Sequence, residues 1–338
     1  MNYSKIFIRG VDWVGTLVLA TPVYRTVREN FPESKITVCV RPWSMNLLET
    51  CPYIDEILVY NPSNIFDRIK FLKKIKKEKY DIAILLSGNF ESALLCFLAG
   101  IKKRIGYPYD HRGFLLTDVV PEIQDKYCVS HLLNIVETLG LKIKNRTPEI
   151  WLTEEDKKFA DDFFEKNNLK NSDLIVGIGF GVRGEESRMW PLQNFAELIN
   201  LLYEKDGAKI ILFGSKYDEK YLFNMKNFIK VPFINLVGQT TLRQFASVVK
   251  RCSVYVTNDT GGMHIASVSG AKVVALFGPT SFLRWGPFGD NCVIINKKID
   301  CSPCEFKKMK NCKDNICMKN IKVEEVYQKI FEVIPKNV

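Results

Sequence analysis

Short apolar runs alternate with helix-length segments along the whole chain, and this alternation occurs in two successive series. Strand-like runs occupy 6–8, 36–40, 56–60 and 82–86 in the first series, and 174–178, 208–213, 233–236, 253–257 and 272–277 in the second. The clearest helical segments between them are 65–78, 90–99, 192–203, 217–229 and 242–250. Strands alternating with helices at this spacing predict parallel sheets with right-handed crossovers. The pattern therefore predicts an α/β protein with two doubly wound halves.

The two series also predict the domain organisation. A chain of 338 residues is longer than one hydrophobic core usually supports. We expect an N-terminal domain at 1–165, a C-terminal domain at 172–320, and a last helix at 321–338 that packs back on the N-terminal domain. Because doubly wound sheets bind ligands beyond the carboxyl ends of their strands, we expect a ligand site in a cleft between the two domains.

The net charge of +10 narrows the classes of partner. Such an excess favours nucleic acid, an anionic membrane surface or acidic small molecules, and no nucleic-acid motif is present. The basic block at 70–79 fits a solvated amphipathic helix or a contact with anionic lipid. No apolar run approaches the ~18–20 residues of a membrane span. Without a visible signal peptide, a cytoplasmic location is expected.

The segment TNDTGGMH at 257–264 follows a strand and opens a helix. A strand, a glycine turn and a helix N-terminus form an anion site, because backbone N–H groups and the helix dipole face the ligand. Asp259 and Thr260 add polar side chains to it, although a capped structural turn would have the same pattern. A second Gly/Pro/Thr loop ends the next strand and contains Thr280. Two such loops at one sheet edge favour a diphosphate site.

The glycines at 177–184 invite a different interpretation, a nicotinamide oxidoreductase. Their spacing departs from G-x-G-x-x-G, and no helix follows directly, so this is not the preferred hypothesis. Arg188 comes soon afterwards and can neutralise a nucleotide diphosphate, or be an ordinary surface arginine.

Several longer stretches resemble glycosyltransferase family 9, which includes the ADP-heptose:lipopolysaccharide heptosyltransferases. The stretches are TNDTGGMHIASVSGAKVVALFGPTS with RWGPFG, IRGVDWVGTLVLATPVYRTVRENFP, NFESALLCFLAGIKKRIGY, ESRMWPLQNFAELI, and Phe213-Gly214-Ser215 followed by Asp218. They stand in the family's order and span nearly the whole chain. The chain is thereby identified as a member of this family.

The resemblance implies a GT-B fold, with two Rossmann-like domains facing an interdomain cleft. It further implies an inverting transfer of heptose from ADP-heptose to the inner core of lipopolysaccharide, with no metal or other cofactor required. The acceptor would be an anionic, lipid-linked core oligosaccharide, reached by peripheral contact with the inner-membrane face. A relative that uses another nucleotide sugar remains an alternative.

The resemblance also assigns site residues. Two residues on the acceptor side are Asn89 and Ser92. Either Asp218 or Glu219 would lie near the donor ribose. The other donor-binding positions are Arg188, which replaces the usual Lys, and Asp259, Thr260, Gly261, Gly262, His264 and Thr280.

One position departs from the family pattern. The first loop usually reads W-V-G-D, and its Asp is the proposed general base, whereas this chain has Thr16 there. A threonine hydroxyl cannot accept a proton near neutral pH, and a positioned base is worth roughly 10²–10⁴-fold in rate. Asp12 can substitute if the loop folds back. Otherwise the chain is a catalytically impaired relative that binds nucleotide sugar, with Thr16 acting as a helix N-cap.

Four cysteines cluster near the C-terminal end of the chain, at Cys301, Cys304, Cys312 and Cys317. Four thiols within 17 residues could hold a structural zinc ion, although their spacing matches no standard zinc finger. Reduced or disulfide-paired thiols are the alternative.

Overall fold

The computed structural model describes residues 3–334 except Lys126, Glu185, Glu305 and Lys313. It contains two compact units, Met1–Trp151 and Leu152–Val338. The boundary lies earlier than the expected end of the first domain at residue 165. The helix α7, Glu154–Lys166, belongs to the second unit, where Arg243 Nε donates to Asp156 Oδ2 at 2.9 Å.

The first unit is built on a six-stranded parallel sheet in the order β3-β2-β1-β4-β5-β6. Its strands are β1 Lys5–Arg9, β2 Lys35–Val40, β3 Glu56–Val59, β4 Ile82–Leu85, β5 Lys103–Gly106 and β6 Asp118–Val119. Its helices are α1 Val14–Leu19, α2 Thr21–Asn30, α3 Met45–Leu48, α4 Ile65–Glu78, α5 Phe90–Leu98 and α6 Cys128–Thr138. The central strands are buried on both faces, which explains their continuous apolar runs.

The second unit repeats this topology, with the strand order β12-β11-β10-β7-β8-β9. Its strands are β7 Ile175–Gly179, β8 Lys209–Phe213, β9 Ile234–Asn235, β10 Val254–Asn258, β11 Val273–Phe277 and β12 Cys292–Asn296. After α7 its helices are α8 Leu192–Asp206, α9 Glu219–Met225, α10 Leu242–Val249, α11 Gly261–Ser269, α12 Phe282–Trp285, α13 Phe306–Lys310, α14 Ile316–Lys319 and α15 Val323–Val333. In both units the first and fourth strands are neighbours, so the strand order reverses between them. This is the doubly wound Rossmann arrangement.

The last helix packs differently from the sequence expectation. The helix α15 contacts α8 and the strands β10, β11 and β12, all of the second unit. Its Val326 and Ile330 are fully buried in that unit's core, and Trp190 Nε1 donates to Ile321 O at 2.9 Å just before it. The apolar face of α15 is thus buried in the core of the second unit. Residues 335–338 lie outside the described part of the chain.

Within the described residues, no helix is both long and apolar enough to span a lipid bilayer. The longest helix, α8, has 15 residues and carries charged residues such as Glu197 and Lys205.

Candidate active site

The segment predicted to bind the donor lies in the second unit, at the point where the strand order reverses. Asn258 ends β10, and Asp259 and Thr260 connect it to α11, whose first residues are Gly261 and Gly262. Thr260 is the N-cap residue, yet its hydroxyl makes no capping hydrogen bond. The N-terminus of α11 therefore offers backbone N–H groups and the positive end of a helix dipole at the carboxyl end of the sheet.

Arg188 reaches this turn from the loop that follows β7. Its Nη1 atom donates to Asp259 O at 3.0 Å and lies 3.9 Å from Asp259 Oδ2. Among the residues that the structure describes, its buried Nε atom has no hydrogen-bond partner. A guanidinium fixed by a backbone carbonyl and retaining a free donor is suited to binding a phosphate oxygen.

Two more residues predicted for the donor site, His264 and Thr280, lie near the same turn. Burial raises the pKa of Asp259, and the Arg188 guanidinium and the Thr280 hydroxyl only partly oppose this rise. Burial lowers the pKa of His264 to about 4, so this imidazole is neutral at pH 7. In the described part of the chain, no group hydrogen-bonds to His264 Nδ1. The structure thus brings Arg188, Asp259, Thr280 and the start of α11 to one edge of the second sheet.

The sequence prediction did not include Asn258 among the candidate site residues. Its side chain is fully buried, accepts from Trp190 N at 3.0 Å and donates to Phe180 O at 2.8 Å. It therefore joins the loop that carries Arg188 to the turn that carries Asp259. A buried amide between a strand and a glycine turn was visible in the sequence, but its distant partners were not.

The structure separates the two candidate ribose residues. Asp218 is buried, and its Oδ2 atom accepts from both N and Oγ of Ser215 at 2.7 Å, which closes the turn after β8. Glu219 is exposed at the first position of α9, with its carboxylate beside Gly238. Only Glu219 has a carboxylate available to a ligand without opening this turn.

The first unit has a polar network at its own point of strand-order reversal, between β1 and β4. Asp12 Oδ1 accepts from Arg9 Nη2 at 2.5 Å and from Arg41 Nε at 2.9 Å. Its Oδ2 atom faces Asn89 Nδ2 at 3.4 Å. Burial alone would raise the pKa of Asp12, but the ion pairs with Arg9 and Arg41 outweigh burial and lower it. Asp12 is therefore a carboxylate at neutral pH, and it is partly exposed.

Thr16 and the two predicted acceptor-side residues, Asn89 and Ser92, differ in how accessible they are. Thr16 is half-buried in the short helix α1, whose N-cap is Trp13, so Thr16 is not itself the N-cap. Asn89 is the N-cap of α5, and its Oδ1 accepts from N and Oγ of Ser92. Because Ser92 is buried, its hydroxyl orients Asn89 instead of facing solvent.

Arg112 is a second residue that the sequence prediction missed. It is fully buried and donates to Tyr107 O, Ser87 O and Asn89 O, which places the loop between β4 and α5. Desolvation lowers the pKa of Arg112 to about 10, which still leaves it charged near pH 7. No motif pointed to this arginine.

The structural zinc site considered for the four C-terminal cysteines is not supported. Across the described ranges, no three His, Cys, Asp or Glu side chains form a group that could hold a metal ion. Their thiols are free, and two of them point to backbone carbonyls: Cys304 Sγ lies 2.9 Å from Cys301 O, and Cys312 Sγ lies 3.3 Å from Asp314 O. Cys317 is buried against Gly278.

The glycine-rich end of β7 has a packing role. A Cβ atom at Gly179 would lie 2.0 Å from Tyr255 Oη, and one at Gly181 would lie 2.1 Å from Asp218 Oδ1. The next α-helix begins only at Leu192, so this turn lacks the adjoining helix N-terminus of a dinucleotide fingerprint. These glycines allow close approach of neighbouring strands and loops.

Comparisons with known proteins agree with the fold and the motifs. Residues 68–314 match the model of glycosyltransferase family 9 (heptosyltransferase). The chain is 30% identical over 314 residues to a lipooligosaccharide heptosyltransferase 2 of Haemophilus ducreyi, covering 86% of this chain and 88% of that protein. Its fold matches that of a family 9 glycosyltransferase from Veillonella parvula, with a TM-score of 0.87 and 22% identity over 99% and 98% of the two chains. It also matches E. coli ADP-heptose lps heptosyltransferase II, with a TM-score of 0.78 and 24% identity over 98% of each chain.

The two Rossmann-like units and the match to the family model place the chain among glycosyltransferases of the GT-B fold. The chain belongs to glycosyltransferase family 9 (heptosyltransferase). The alternative of a catalytically impaired relative receives no support from these comparisons.

Proposed function

We propose that this protein is an inverting heptosyltransferase that transfers heptose from ADP-heptose to the inner core of lipopolysaccharide, at the cytoplasmic face of the inner membrane. The observation that carries the proposal is the turn from Asp259 to Gly262, with Arg188 held against it at a helix N-terminus. The donor and acceptor are taken from the family and from the names of the similar proteins.

In this proposal the donor diphosphate binds at the N-terminus of α11. Arg188 and the first N–H groups of α11 supply positive charge to the phosphate oxygens. The Glu219 carboxylate accepts hydrogen bonds from the ribose hydroxyls, since Asp218 is committed to its turn. Thr280 and His264 line the same edge as neutral polar groups. Fixed protein charge stabilises the leaving ADP, so the proposed reaction requires no cofactor.

The proposed chemistry is a single displacement. The acceptor hydroxyl oxygen forms a bond to the anomeric carbon while the bond from that carbon to the diphosphate oxygen breaks, and ADP leaves with the electron pair. The hydroxyl proton passes to a base. We assign this role to Asp12, because it is an ionised, partly exposed carboxylate and Thr16 cannot accept a proton. Asn89 faces Asp12 Oδ2 and would orient the acceptor.

Calorimetric titration tests the donor assignment. We expect ADP and ADP-heptose to bind more tightly than UDP-sugars, and NAD not to compete at the same concentration. Arg188→Ala should weaken ADP binding at least tenfold, because it removes a charged contact worth about 1.5–3 kcal/mol. Arg146→Ala, at an exposed arginine of the first unit, is the matched control. Equal affinity of Arg188→Ala and wild type for ADP would contradict the assignment.

Turnover with ADP-heptose and a deep-core lipopolysaccharide acceptor tests the reaction itself. We expect a heptosylated product with inverted anomeric configuration. Transfer from a different nucleotide sugar, with none from ADP-heptose, would overturn the donor assignment and leave the family unchanged. Tight donor binding with no product from any acceptor would instead indicate a nucleotide-sugar-binding protein.

A further inference from the structure

The helix α4 has one face in the core of the first unit and an opposite face in solvent. Phe71, Leu72 and Ile75 face the core of this unit. At 100° per residue, the exposed side chains spread over the opposite half of the helix. They are Ile65, Phe66, Ile69, Lys70, Lys73, Lys74, Lys76 and Lys77, and we call them the outer face of α4.

The N-terminal end of the outer face is apolar. Phe66 is 77% exposed and Ile65 is 59% exposed, although large apolar side chains are normally buried. A further aromatic, Phe114, is 76% exposed and contacts Phe90 at the start of α5, with ring centroids 6.2 Å apart. Arg68 of α4 donates to Glu91 of α5 at 2.7 Å, so the two helix N-termini are neighbours. Exposed apolar groups therefore flank the start of α5.

The C-terminal end of the outer face is basic and carries no acidic residue. Among the residues that the structure describes, none of its five lysines makes an ion pair. The two acidic residues of α4 are engaged elsewhere: Asp67 accepts from N and Oγ of Ser63, and Glu78 pairs with Lys5. The lysine charges are therefore available to an external anionic surface.

We propose that the outer face of α4, together with Phe114, docks on the surface of an anionic phospholipid bilayer. Phe66, Ile69 and Phe114 enter the boundary between headgroups and acyl chains, and lysines such as Lys73 and Lys77 contact lipid phosphates. A helix with aromatic and aliphatic side chains beside a lysine-rich face has the composition of an interfacial helix. Charge complementarity selects an anionic bilayer over a neutral one, because each lysine near such a surface strengthens binding about fivefold.

Docking in this way brings one end of the first unit's sheet to the membrane. Asn89 is the N-cap of α5, which begins beside Phe114 and Arg68. A lipid-linked acceptor would then meet Asn89 while its lipid stays in the bilayer. This consequence rests on the proposed function, whereas the docking itself does not.

Vesicle flotation tests the docking without any donor or acceptor. The wild-type chain should float with phosphatidylglycerol/phosphatidylcholine vesicles and not with phosphatidylcholine alone, and added salt should weaken the binding. Lys73→Glu with Lys77→Glu should lower the affinity at least about 25-fold, since two attractive charges are lost. Phe66→Ser with Ile69→Ser should also lower it. Lys158→Glu with Lys166→Glu, at exposed lysines of α7, is the matched control and should bind like wild type.

Turnover separates this inference from the proposed function. The Lys73/Lys77 variant should transfer sugar to a deacylated, water-soluble acceptor at the wild-type rate and lose transfer to a vesicle-embedded acceptor. All the substituted side chains are exposed, and thermal unfolding should confirm that the variants remain folded. The docking proposal is overturned if the Lys73/Lys77 variant floats like wild type, or if wild type binds neutral and anionic vesicles equally. Flotation as expected without turnover would count against the proposed function alone.

Discussion

The carboxylate of Asp12 lies in a loop where the family's proposed base is four residues further along the chain. Arg9 and Arg41 hold it ionised, and their lowering of its pKa makes it a weaker base in return. Thr16 stands at the family position with a hydroxyl that has no basicity near pH 7. The acceptor proton can therefore be expected to pass to Asp12 and not to Thr16, and substitutions at the two positions should have different effects.

Asp12→Asn should abolish most turnover, by roughly the 10²–10⁴-fold that a positioned base contributes. Thr16→Asp should then add little, because the chain already has its base. Both variants should keep wild-type affinity for ADP in calorimetry, which serves as the internal control. If Asp12→Asn stays active while Thr16→Asp gains 10²–10⁴-fold, the proton does not go to Asp12. No change in either variant would mean that another group takes it.

His264 makes a prediction about stability at acid pH. Its pKa is about 4 in the folded protein and near 6.5 when unfolded, because burial disfavours the imidazolium. Between these values the unfolded chain binds the extra proton, so folding stability falls as pH falls, by up to about 1.4 kcal/mol per pH unit. His264→Gln should show a flatter pH dependence of the free energy of unfolding over this window. His111→Gln, at an exposed histidine, is the control, and equal slopes for all three proteins would refute the prediction.

The candidate donor-binding residues could be named from the sequence because several of them are close together in it. Asp259, Thr260 and Gly261 stand in one turn, so a local pattern of strand, glycines and helix was enough to place them. Asn258 and Arg112 were not found, because each acts on backbone carbonyls of residues distant in the sequence or carries no motif. Contacts of this kind depend on the packed fold and leave no periodic signal.

At the scale of elements, the end of β7 requires a close approach between two loops. A Cβ atom at Gly181 would overlap the Asp218 carboxylate at 2.1 Å, and Asp218 closes the turn after β8. Gly181→Ala should therefore lower the free energy of unfolding by about 1–3 kcal/mol and weaken ADP binding through Glu219 next to the turn. Gly113→Ala is the control, because its nearest neighbour would be Pro108 Cβ at an ordinary 3.4 Å. A fully stable Gly181→Ala protein would show that the turn adapts.

Element prediction succeeded where apolar periodicity was strong. The helix at 65–78 was predicted with its observed bounds, because Asn64 caps it and its buried stripe is clear. Three strands were missed: β5 and β6 have only four and two residues, and β12 is half-buried along most of its length. The helical region that begins at Val14 is divided at Ala20, two residues before Pro22, into α1 and α2. Short or edge elements carry too few apolar residues to show a period.

At the scale of the whole molecule, both units have the same strand order, and in each sheet this order reverses between the first and fourth strands. In each unit the candidate site residues follow those two strands: Asp12 and Asn89 in the first, and Arg188 and Asp259 in the second. Two doubly wound halves were predicted from the alternation of strands and helices. The packing partner of the last helix was not predicted. An amphipathic stripe indicates that one face of a helix is buried, but it does not indicate which element that face packs against.

A substitution in the last helix, α15, tests which unit this helix stabilises. Ile330 is fully buried in the core of the second unit, so Ile330→Ala should lower the free energy of unfolding by about 2–5 kcal/mol. ADP binds the folded second unit in the proposed function, and ligand at about 100 times its Kd should restore about 2.7 kcal/mol of this loss by linkage. In the Ile330→Ala variant, the backbone amides of β10 and β11, which α15 contacts, should exchange faster than in the wild type. The amides of β1 and β4 should exchange at the wild-type rate. Gln328→Ala, at an exposed position of the same helix, should stay within about 0.5 kcal/mol of wild type. Faster exchange confined to β1 and β4 would instead assign α15 to the first unit.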